Sequence, residues 1–468
     1  MSARCGDPTP NAATGECCTS PAATCSCQSH AKEPSKLPVA IIGAGPIGLA
    51  AAIHLVDKGE TPIVFEAGDA VGASVRQWSH VRLFSPWKYL VDPTMRRMLE
   101  QSGWAMPDEE TLPTGGQLIE ELVEPISKLP SIQPLIRLNQ RVVAITRRGF
   151  DKVKSTDRNI APFELVVRDA NGTPARILVR AVIDASGTWT SPNPMGAGGI
   201  EADGEFDISR SVMYRVPDVH GSDRDRYAGK RVLVVGSGHS AFNALLDLAG
   251  LKSRESATEI IWAVRRTDVG QMFGGGEKDA LEARGALGAR LRELVESEVV
   301  RLETGVRISR AMRTADGVAI ATDEGKQLGP VDEIVVTTGF RPDLSLTREL
   351  RLDLDSWLEA PKQLAPLIDP NVHSCGTVYP HGASELSHPE KDFYVVGMKS
   401  YGRAPTFLLL TGYEQVRSVA CALTGDEAGA KHVELVLPET GVCQTDLGGS
   451  SCCGVEESEP ALVGLSRG

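Results

Sequence analysis

Short apolar runs alternate with helical stretches along most of the chain. The run Val39–Ile42 is apolar at every position, which is typical of a buried parallel strand. A glycine-rich turn follows, and the alanine-rich segment after it predicts a helix that ends near Lys58. A second strand is predicted from Pro62 to Phe65 and is followed by Glu66. This order of strand, turn, helix and strand predicts a βαβ unit.

The turn of this unit reads Gly43-Ala44-Gly45-Pro46-Ile47-Gly48. Gly43 allows the tight turn, Gly45 lets the backbone approach a pyrophosphate, and Gly48 lets the helix pack closely on the strand. The helix N terminus offers unpaired N–H groups and a partial positive charge to the phosphates. Glu66 is placed to accept a hydrogen bond from a ribose 2′-hydroxyl. We therefore expect this unit to bind a dinucleotide, the alternative being a glycine-rich turn in an unrelated α/β protein.

A second copy of the unit lies about 190 residues further along the chain. Its strand is predicted at 232–235, and its turn reads Gly236-Ser237-Gly238-His239-Ser240-Ala241. Alanine is an accepted variant at the third glycine position. The following strand, at 259–264, ends in Arg265 and Arg266 instead of an acid. Two guanidinium groups attract a 2′-phosphate, so NADP(H) is favoured over NAD(H), with a solvated strand end as the alternative.

Two later apolar strands also end in small-residue turns, at 181–188 and 333–342. The first is predicted to carry the chain from a first domain to a second, and the other to return it. A strand at 393–397 and a helix at 404–423 follow. The N terminus of this helix offers its positive dipole end to a developing anion. The predicted fold is α/β, with two Rossmann-like dinucleotide-binding domains, the second inserted in the first.

The charge and the apolar content restrict the partners of the chain. The 468 residues suit two or three domains, and the net charge of −12 repels nucleic acid and anionic membranes on average. The segment 37–56 has the length of a membrane span, but three glycines, two prolines and His54 interrupt it. The start of the chain lacks an apolar signal core, so we expect a cytoplasmic protein with neither nucleic acid nor membrane as partner.

The ten cysteines are concentrated at the two ends of the chain. Five lie in the first 30 residues and three in the last 26. Both ends are rich in small and polar residues, so we predict flexible tails at 1–36 and 430–468. The pairs Cys17–Cys18 and Cys452–Cys453 suit transient capture of a soft metal or metalloid ion, because thiolate is its preferred ligand. A redox-inert tail is the alternative, and the spacing fits a closed zinc site poorly.

The paired fingerprints, the crossovers at 184–188 and 337–342, and the closing segment at 395–397 resemble the flavoproteins with two dinucleotide-binding domains. These include flavin-containing monooxygenases and pyridine nucleotide-disulfide reductases. The resemblance covers about residues 37–425 and implies FAD on the first domain and NADPH on the second. It places Val143, Ser186, Gly187 and Gly397 among the cofactor-binding residues.

On this basis the chain divides into five segments. They are a Cys-rich tail at 1–36, the first part of the FAD-binding domain at 37–190, the NAD(P)H-binding domain at 191–330, the second part of the FAD-binding domain at 331–429, and a Cys-containing tail at 430–468.

Residues 78–87 (WSHVRLFSPW) and 396–407 (VGMKSYGRAPTF) look like the flavoproteins of bacterial arsenic-resistance operons, usually described as flavin-dependent monooxygenases. This resemblance implies a FAD- and NADPH-dependent monooxygenase that oxidises a soft nucleophile, such as a trivalent arsenical, through a flavin hydroperoxide. Oxygen and a small molecule are the expected partners. Arg82, His80 and Lys399 are the candidate catalytic hydrogen-bond donors. Trp78, Phe84 and Trp87 are candidates for the pocket wall, with core packing as the alternative.

Two departures from related enzymes keep other functions open. The motif FxGxxxH of flavin-containing and Baeyer–Villiger monooxygenases is missing, because the corresponding region at 214–220 reads YRVPDVH. Segments 66–113 and 229–330, where disulfide reductases place their cysteine pair, contain no cysteine. The alternatives are an NADPH-dependent reductase of a metal ion or disulfide that uses Cys452 and Cys453, and a non-catalytic soft-metal-binding protein. The sequence also leaves the oligomeric state open, with a homodimer as one option.

Overall fold

The computed structural model describes residues 37–268, 273, 282–372, 380–405 and 407–435, with the side chains of 282–286 left aside. The strands in this part of the chain are β1 (Val39–Ile42), β2 (Ile63–Phe65), β3 (Ile136–Arg137), β4 (Arg141–Arg147), β5 (Phe163–Arg168), β6 (Pro174–Val179), β7 (Ala181–Asp184), β8 (Val212–Met213), β9 (Arg231–Val235), β10 (Glu259–Ala263), β11 (Arg301–Glu303), β12 (Ile308–Thr314), β13 (Gly317–Thr322), β14 (Gln327–Val331), β15 (Glu333–Val336) and β16 (Phe393–Val395).

The α-helices are α1 (Pro46–Asp57), α2 (Ala73–Arg76), α3 (Pro93–Glu100), α4 (Gly115–Leu118), α5 (Glu124–Lys128), α6 (Arg224–Tyr227), α7 (His239–Lys252), α8 (Glu282–Glu296), α9 (Ala365–Ile368), α10 (Leu409–Thr424) and α11 (Glu427–Lys431). A π-helical turn, Ile119–Val123, joins α4 to α5. A 3₁₀ turn, Gly397–Tyr401, follows β16. No helix within these residues is long and apolar enough to cross a membrane.

The first sheet has the strand order β16-β7-β1-β2-β3, and all its strands are parallel. Its central strand β1 is buried at every position because both faces of the sheet are covered. Val39 and Ile41 pack into the helical side with α1 and α10, whereas Ala40 and Ile42 pack against the antiparallel sheet β4-β5-β6. The period-two alternation of a strand thus supplies two different cores.

The second sheet repeats this three-layer arrangement with the order β11-β10-β9-β15-β8, again parallel. Val232 and Val234 of its central strand β9 pack with α7 and α8, and Leu233 and Val235 pack against the antiparallel sheet β12-β13-β14. The prediction of an α/β fold with parallel sheets is confirmed. Because β15 pairs with β9, the second sheet extends beyond the domain boundary that was predicted at residue 330.

The two predicted crossovers run side by side as a short antiparallel ribbon. The Asn193 N–H donates to the Gly339 carbonyl and the Arg341 N–H to the Ser191 carbonyl, each at 2.9 Å. Pro192 and Phe340 form the bridge between these two hydrogen bonds. The segments that lead to and from the second sheet are therefore bonded to each other, which fixes where the chain leaves and re-enters the first sheet.

Two predicted boundaries differ from the structure. The helix predicted at 404–423 begins at Leu409, because the chain first turns sharply at Gly402, which has φ 58°. A side chain at Gly402 would lie 1.9 Å from the Leu358 carbonyl oxygen. The tail predicted from residue 430 begins within α11, which ends at Lys431. The cysteine pairs predicted to capture ions, Cys17–Cys18 and Cys452–Cys453, lie outside the described residues.

Candidate functional site

A cleft of about 1540 Å³ is lined by residues from both parallel sheets, and both glycine-rich turns open into it. Every cofactor-binding residue predicted from the sequence lines this cleft except Gly48. These residues are Gly43, Gly45, Pro46, Ile47, Glu66, Val143, Ser186, Gly187, Gly236, Gly238, His239, Ser240, Arg265, Arg266 and Gly397. Residues that are far apart in the sequence thus come together in one cavity.

The three glycines of the first turn occupy three different environments. Gly43 has φ 100°, and a Cβ there would lie 2.7 Å from the Ala185 carbonyl oxygen. A Cβ at Gly48 would lie 1.9 Å from the Gly43 carbonyl oxygen, so α1 packs too closely on the turn for any side chain. A Cβ at Gly45 would meet nothing within 4 Å. Gly43 and Gly48 therefore shape the turn, and Gly45 leaves space for a pyrophosphate.

Glu66 holds the first turn at the end of β2. Its Oε2 accepts from the Ala44 N–H and its Oε1 from the Gly68 N–H, both at 2.8 Å. Glu66 is buried and lines the cleft. Each carboxylate oxygen keeps a further lone pair that a ribose hydroxyl can use. The position of Glu66 therefore fits the adenosine ribose of a dinucleotide bound along the first turn.

Among the described helices of eight residues or more, three begin at the cleft without a side-chain cap. The residues before their first turns are Gly45 for α1, Gly238 for α7 and Leu408 for α10, and no side chain accepts a hydrogen bond there. None of the three has an acidic residue in its first turn. The N–H groups of their first turns and their positive dipole ends are therefore available to anionic groups of a ligand, except at Pro46, which has no N–H.

The second glycine-rich turn has the same construction as the first. Gly236 has φ 130°, and a Cβ there would lie 2.5 Å from the Thr337 carbonyl oxygen. Gly238 faces open space, and Ala241 is fully buried at the third position. Arg265 and Arg266 line the same cleft just beyond β10. The Arg265 Nη1 donates to the Ala197 carbonyl at 3.3 Å.

The cleft is positively charged in a chain of net charge −12. Among the described residues, two carboxylates line it, Glu66 and Asp343. Burial acts to raise the pKa of Asp343, but hydrogen bonds from Ser345 and the charge of Lys399 outweigh this effect and lower it below its ordinary value. The cleft has the positive charge expected of a site for phosphate-containing ligands. Its described lining includes seven arginines: Arg82, Arg141, Arg215, Arg265, Arg266, Arg307 and Arg403.

The three candidate catalytic donors lie in different surroundings. Lys399 lines the cleft, but its side chain is only 1% exposed, and its Nζ lies 2.8 Å from Asp184 Oδ2 and 3.0 Å from Ser186 Oγ. Arg82 is exposed and lines the cleft, and its Nη1 donates to the Leu112 carbonyl at 2.6 Å. His80 does not line the cleft, and its Nε2 is shielded from solvent without a hydrogen-bond partner among the described residues.

The candidate wall residues divide in the same way. Trp78 and Phe84 line the cleft, whereas Trp87 is 2% exposed and belongs to the core beside α1 and α10. The Phe84 ring lies 5.2 Å from the His239 ring at the start of α7. The segment that contains Phe84, which follows the first glycine-rich turn in the sequence, thus contacts the second glycine-rich turn.

The crossover ribbon carries an aromatic pair that was not predicted from the sequence. The rings of Trp189 and Phe340 stack at 5.0 Å, and the Trp189 Nε1 donates to Gln77 Oε1 at 3.1 Å. Both aromatic residues line the cleft. A signal was present, since each aromatic residue closely follows the glycine that ends its crossover turn, Gly187 or Gly339.

No cysteine lines the cleft within the part of the chain that the structure describes. Cys421 is a free thiol buried in α10. The described residues also contain no cluster of three or more His, Cys, Asp or Glu side chains able to hold a metal ion.

Residues 37–392 match the family described as pyridine nucleotide-disulphide oxidoreductase. Flavin-containing monooxygenase 1 of Mus musculus is 28% identical over 235 residues, which are 49% of this chain and 41% of that protein. Ferredoxin–NADP reductase 2 of Cupriavidus necator is 25% identical over 334 residues, which are 69% of this chain and 72% of that protein. The alignment thus spans well under half the length of the mouse monooxygenase.

The fold agrees with these similarities. The structure of bacillithiol disulfide reductase from Bacillus cereus superposes with a TM-score of 0.62 at 18% sequence identity, and the match covers 84% of this chain and all of that one. The prediction of a flavin-dependent oxidoreductase is confirmed. The chain belongs to the pyridine nucleotide-disulphide oxidoreductase family, whose FAD-binding flavoproteins include both monooxygenases and reductases.

Proposed function

We propose that the chain is a FAD- and NADPH-dependent monooxygenase that oxidises a small, soft nucleophile. In this proposal FAD binds along the first glycine-rich turn and NADPH along the second. The proposal keeps the predicted domain bounds, except that it extends the NADPH-binding domain to the end of β15 at Val336. The observation that carries the proposal is the cleft, which joins both turns in one cavity and contains no cysteine among its described lining residues.

The absence of cysteine from the described part of this lining favours oxygenation over dithiol chemistry. A reductase that relays electrons through a dithiol needs a cysteine next to the flavin, and Cys421 is buried in α10 outside the cleft lining. The 28% identical relative from Mus musculus is named a monooxygenase. FAD, when bound, supplies both the acceptance of a hydride from NADPH and the activation of oxygen.

The residues of the first turn have the chemistry that FAD binding requires. Gly45 and the uncapped start of α1 receive the pyrophosphate, and Glu66 receives the ribose. The start of α10 offers its dipole to the negative charge of the reduced ring. We assign Lys399 a positioning role, because its ammonium group is buried and already bonded to Asp184 and Ser186. Arg82 remains the candidate hydrogen-bond donor on the open side of the cleft.

The apolar walls define the class of substrate. Trp78, Phe84, Trp189 and Phe340 line the cleft, and in this proposal their rings shield the reacting atoms from water. A small uncharged molecule with a soft lone pair, such as a trivalent arsenical, a thioether or an amine, suits such walls. Trivalent arsenicals are the first compounds to test, because they are the substrates implied by the sequence resemblance.

The test is NADPH oxidation by the FAD-loaded protein, followed in air and under argon with each class of substrate. The proposal expects substrate-stimulated turnover that requires oxygen and yields an oxygenated product. Sustained NADPH oxidation under argon, with a disulfide or a metal ion as the electron acceptor, contradicts the proposal. Arsenite, methylarsenite, a thioether and a tertiary amine, compared at equal concentration, identify the substrate class. If none of them raises oxygen consumption while NADPH still reduces the flavin, the monooxygenase assignment fails and the family assignment stands.

A reductase is the second candidate, supported by one observation. The relative from Cupriavidus necator aligns with 69% of this chain and is named a ferredoxin–NADP reductase. The pair Cys452–Cys453 is the alternative route for electrons that the sequence offers. A reductase of a disulfide or metal ion predicts turnover under argon that is lost in the double variant Cys452→Ser/Cys453→Ser. A ferredoxin reductase predicts argon turnover that survives the same double substitution.

A further inference from the structure

A third arginine, Arg307, lies beside the arginine pair at the end of β10. It is 41 residues after Arg266 in the sequence, and no local motif links the two. All three arginines line the cleft that contains the second glycine-rich turn. Arg307 therefore belongs to the same cavity although the sequence analysis did not select it.

The pairing of two strands explains why the backbone of Arg307 lies close to that of the arginine pair. Strands β10 and β11 are parallel neighbours, with Ala263 opposite Glu303. The segments that follow the two strands are also bonded to each other, because the Val306 N–H donates to the Val264 carbonyl and the Gly305 N–H to the Arg266 carbonyl, each at 2.9 Å. The backbone just before Arg307 is thus bonded to the backbone of the arginine pair.

The crossover segment supports the same arrangement from the other side. Ala197 donates its N–H to the Ile308 carbonyl at 2.9 Å and accepts from Arg265 Nη1 at 3.3 Å. One residue therefore contacts both the Arg265 side chain and the neighbour of Arg307. Arg265, which lines the cleft, is anchored by this hydrogen bond.

Arg307 differs from Arg265 in having no such anchor. It is exposed, and its side chain forms no hydrogen bond or ion pair with any residue in the part of the chain that the structure describes. Nearby Arg310, at the third position of β12, is also exposed but pairs with Asp203 and does not line the cleft. A guanidinium group with all its donors available, in a cleft that two further arginines line, suits a dianionic phosphate.

We propose that Arg307 is a specificity-determining residue that binds the 2′-phosphate of NADPH together with Arg265 and Arg266. This inference rests on the proposed use of NADPH at the second turn. The 2′-phosphate distinguishes NADPH from NADH, so a residue that binds only this group affects one nucleotide and not the other. Arg307 is thus a determinant of nucleotide choice supplied by a different strand from the arginine pair.

The test is calorimetric titration of the FAD-loaded protein with NADP⁺ and, separately, with NAD⁺. Losing charge-assisted hydrogen bonds to the phosphate is expected to weaken NADP⁺ binding by about ten- to a hundredfold in Arg307→Gln. NAD⁺ binding is expected to change less than about twofold, because it lacks the 2′-phosphate. Arg307→Lys, which keeps the charge but loses the planar fork, is expected to retain part of the affinity.

Arg310→Gln is the matched control, since it removes the same charge close by in sequence but outside the cleft. Equal weakening of NADP⁺ in both glutamine variants overturns the inference, because a general field effect then explains the data. Unchanged NADP⁺ binding in Arg307→Gln overturns it as well. If the wild-type protein binds NAD⁺ as tightly as NADP⁺, the proposed NADPH cofactor fails instead. If Arg307→Gln has no effect, NADP⁺ binding by Arg266→Gln shows whether the rest of the proposed phosphate site binds the nucleotide.

Discussion

Lys399→Met removes the positive charge that neutralises Asp184 beneath the cleft. The two side chains are 1% and 0% exposed, and Lys399 Nζ lies 2.8 Å from Asp184 Oδ2. Methionine is similar in length to the lysine stem and retains most of its packing. The substitution therefore tests the charge pair with little change in volume.

The expected cost follows from the partners that remain. Removing one member of a buried ion pair costs about 3–5 kcal/mol, because the other charge is left uncompensated. Asp184 Oδ1 still accepts from the Ser186 N–H and from Ser186 Oγ, at 3.1 and 2.6 Å. We therefore expect the lower end, a loss of about 3 kcal/mol in the free energy of unfolding. Asp184→Asn combined with Lys399→Met is expected to recover most of this loss, since neither charge is then buried.

Urea unfolding of the wild type, the two single variants and the double variant measures these differences, both with and without bound FAD. The second readout is substrate oxidation per bound FAD. If Lys399 only positions the turn at Ser186, the double variant regains activity together with stability and FAD affinity. If Lys399 donates a proton to the reaction, the double variant is stable, binds FAD and stays inactive.

Two results refute the reasoning. A Lys399→Met protein as stable as the wild type shows that the pair contributes no net stability despite its burial. A stable, FAD-loaded and inactive double variant shows that Lys399 is a catalytic residue, as its place in the sequence first indicated.

Two further predictions concern the first turn and α7. Gly48→Ala is expected to destabilise the protein, because its Cβ would lie 1.9 Å from the Gly43 carbonyl oxygen. Gly45→Ala, which places its Cβ in open space, is expected to fold normally and to bind FAD more weakly. Thermal unfolding and FAD titration distinguish the two variants, and equal stability of both contradicts the packing argument. Burial, and secondarily the charge of Asp218, raises the pKa of Asp247 from 3.8 to about 6. The folded state therefore loses stability as pH rises from about 4 to 6, by about 3 kcal/mol at most from a shift of about two units. Asp247→Asn is expected to be more stable than wild type at pH 7.5 and equal to it near pH 4, by urea unfolding; a difference that persists at pH 4 contradicts this assignment.

The parallel sheets could be predicted because their strands are buried on both faces. Strands such as β1 and β9 are apolar at almost every position and are followed by a glycine turn and a helix, so local pattern suffices. The antiparallel sheets were not predicted. β12 contains three exposed polar residues after its bulge, and β6 begins with three exposed positions, so neither shows a clear alternation.

The same distinction holds for the site. The glycines of the two turns were identified because their roles depend on a few neighbouring residues. The surroundings of Lys399 and Arg307 were not, because their neighbours come from distant parts of the chain: Asp184 is 215 residues from Lys399. Burial of a charged side chain is a property of the folded arrangement, and no local spacing encodes it. His80 was selected as a hydrogen-bond donor in the segment 78–87, but its surroundings exclude it from the cleft lining.

The strand order of the first sheet has a consequence for synthesis on the ribosome. Strand β7 forms between residues 181 and 184, but its outer neighbour β16 comes from residues 393–395, after the whole second sheet. The edge of β7 thus stays unpaired while more than 200 further residues are translated. An open strand edge is a template for pairing with other nascent chains. The second sheet, whose strands lie between residues 212 and 336, can close earlier, so the half of the protein that begins first is finished last.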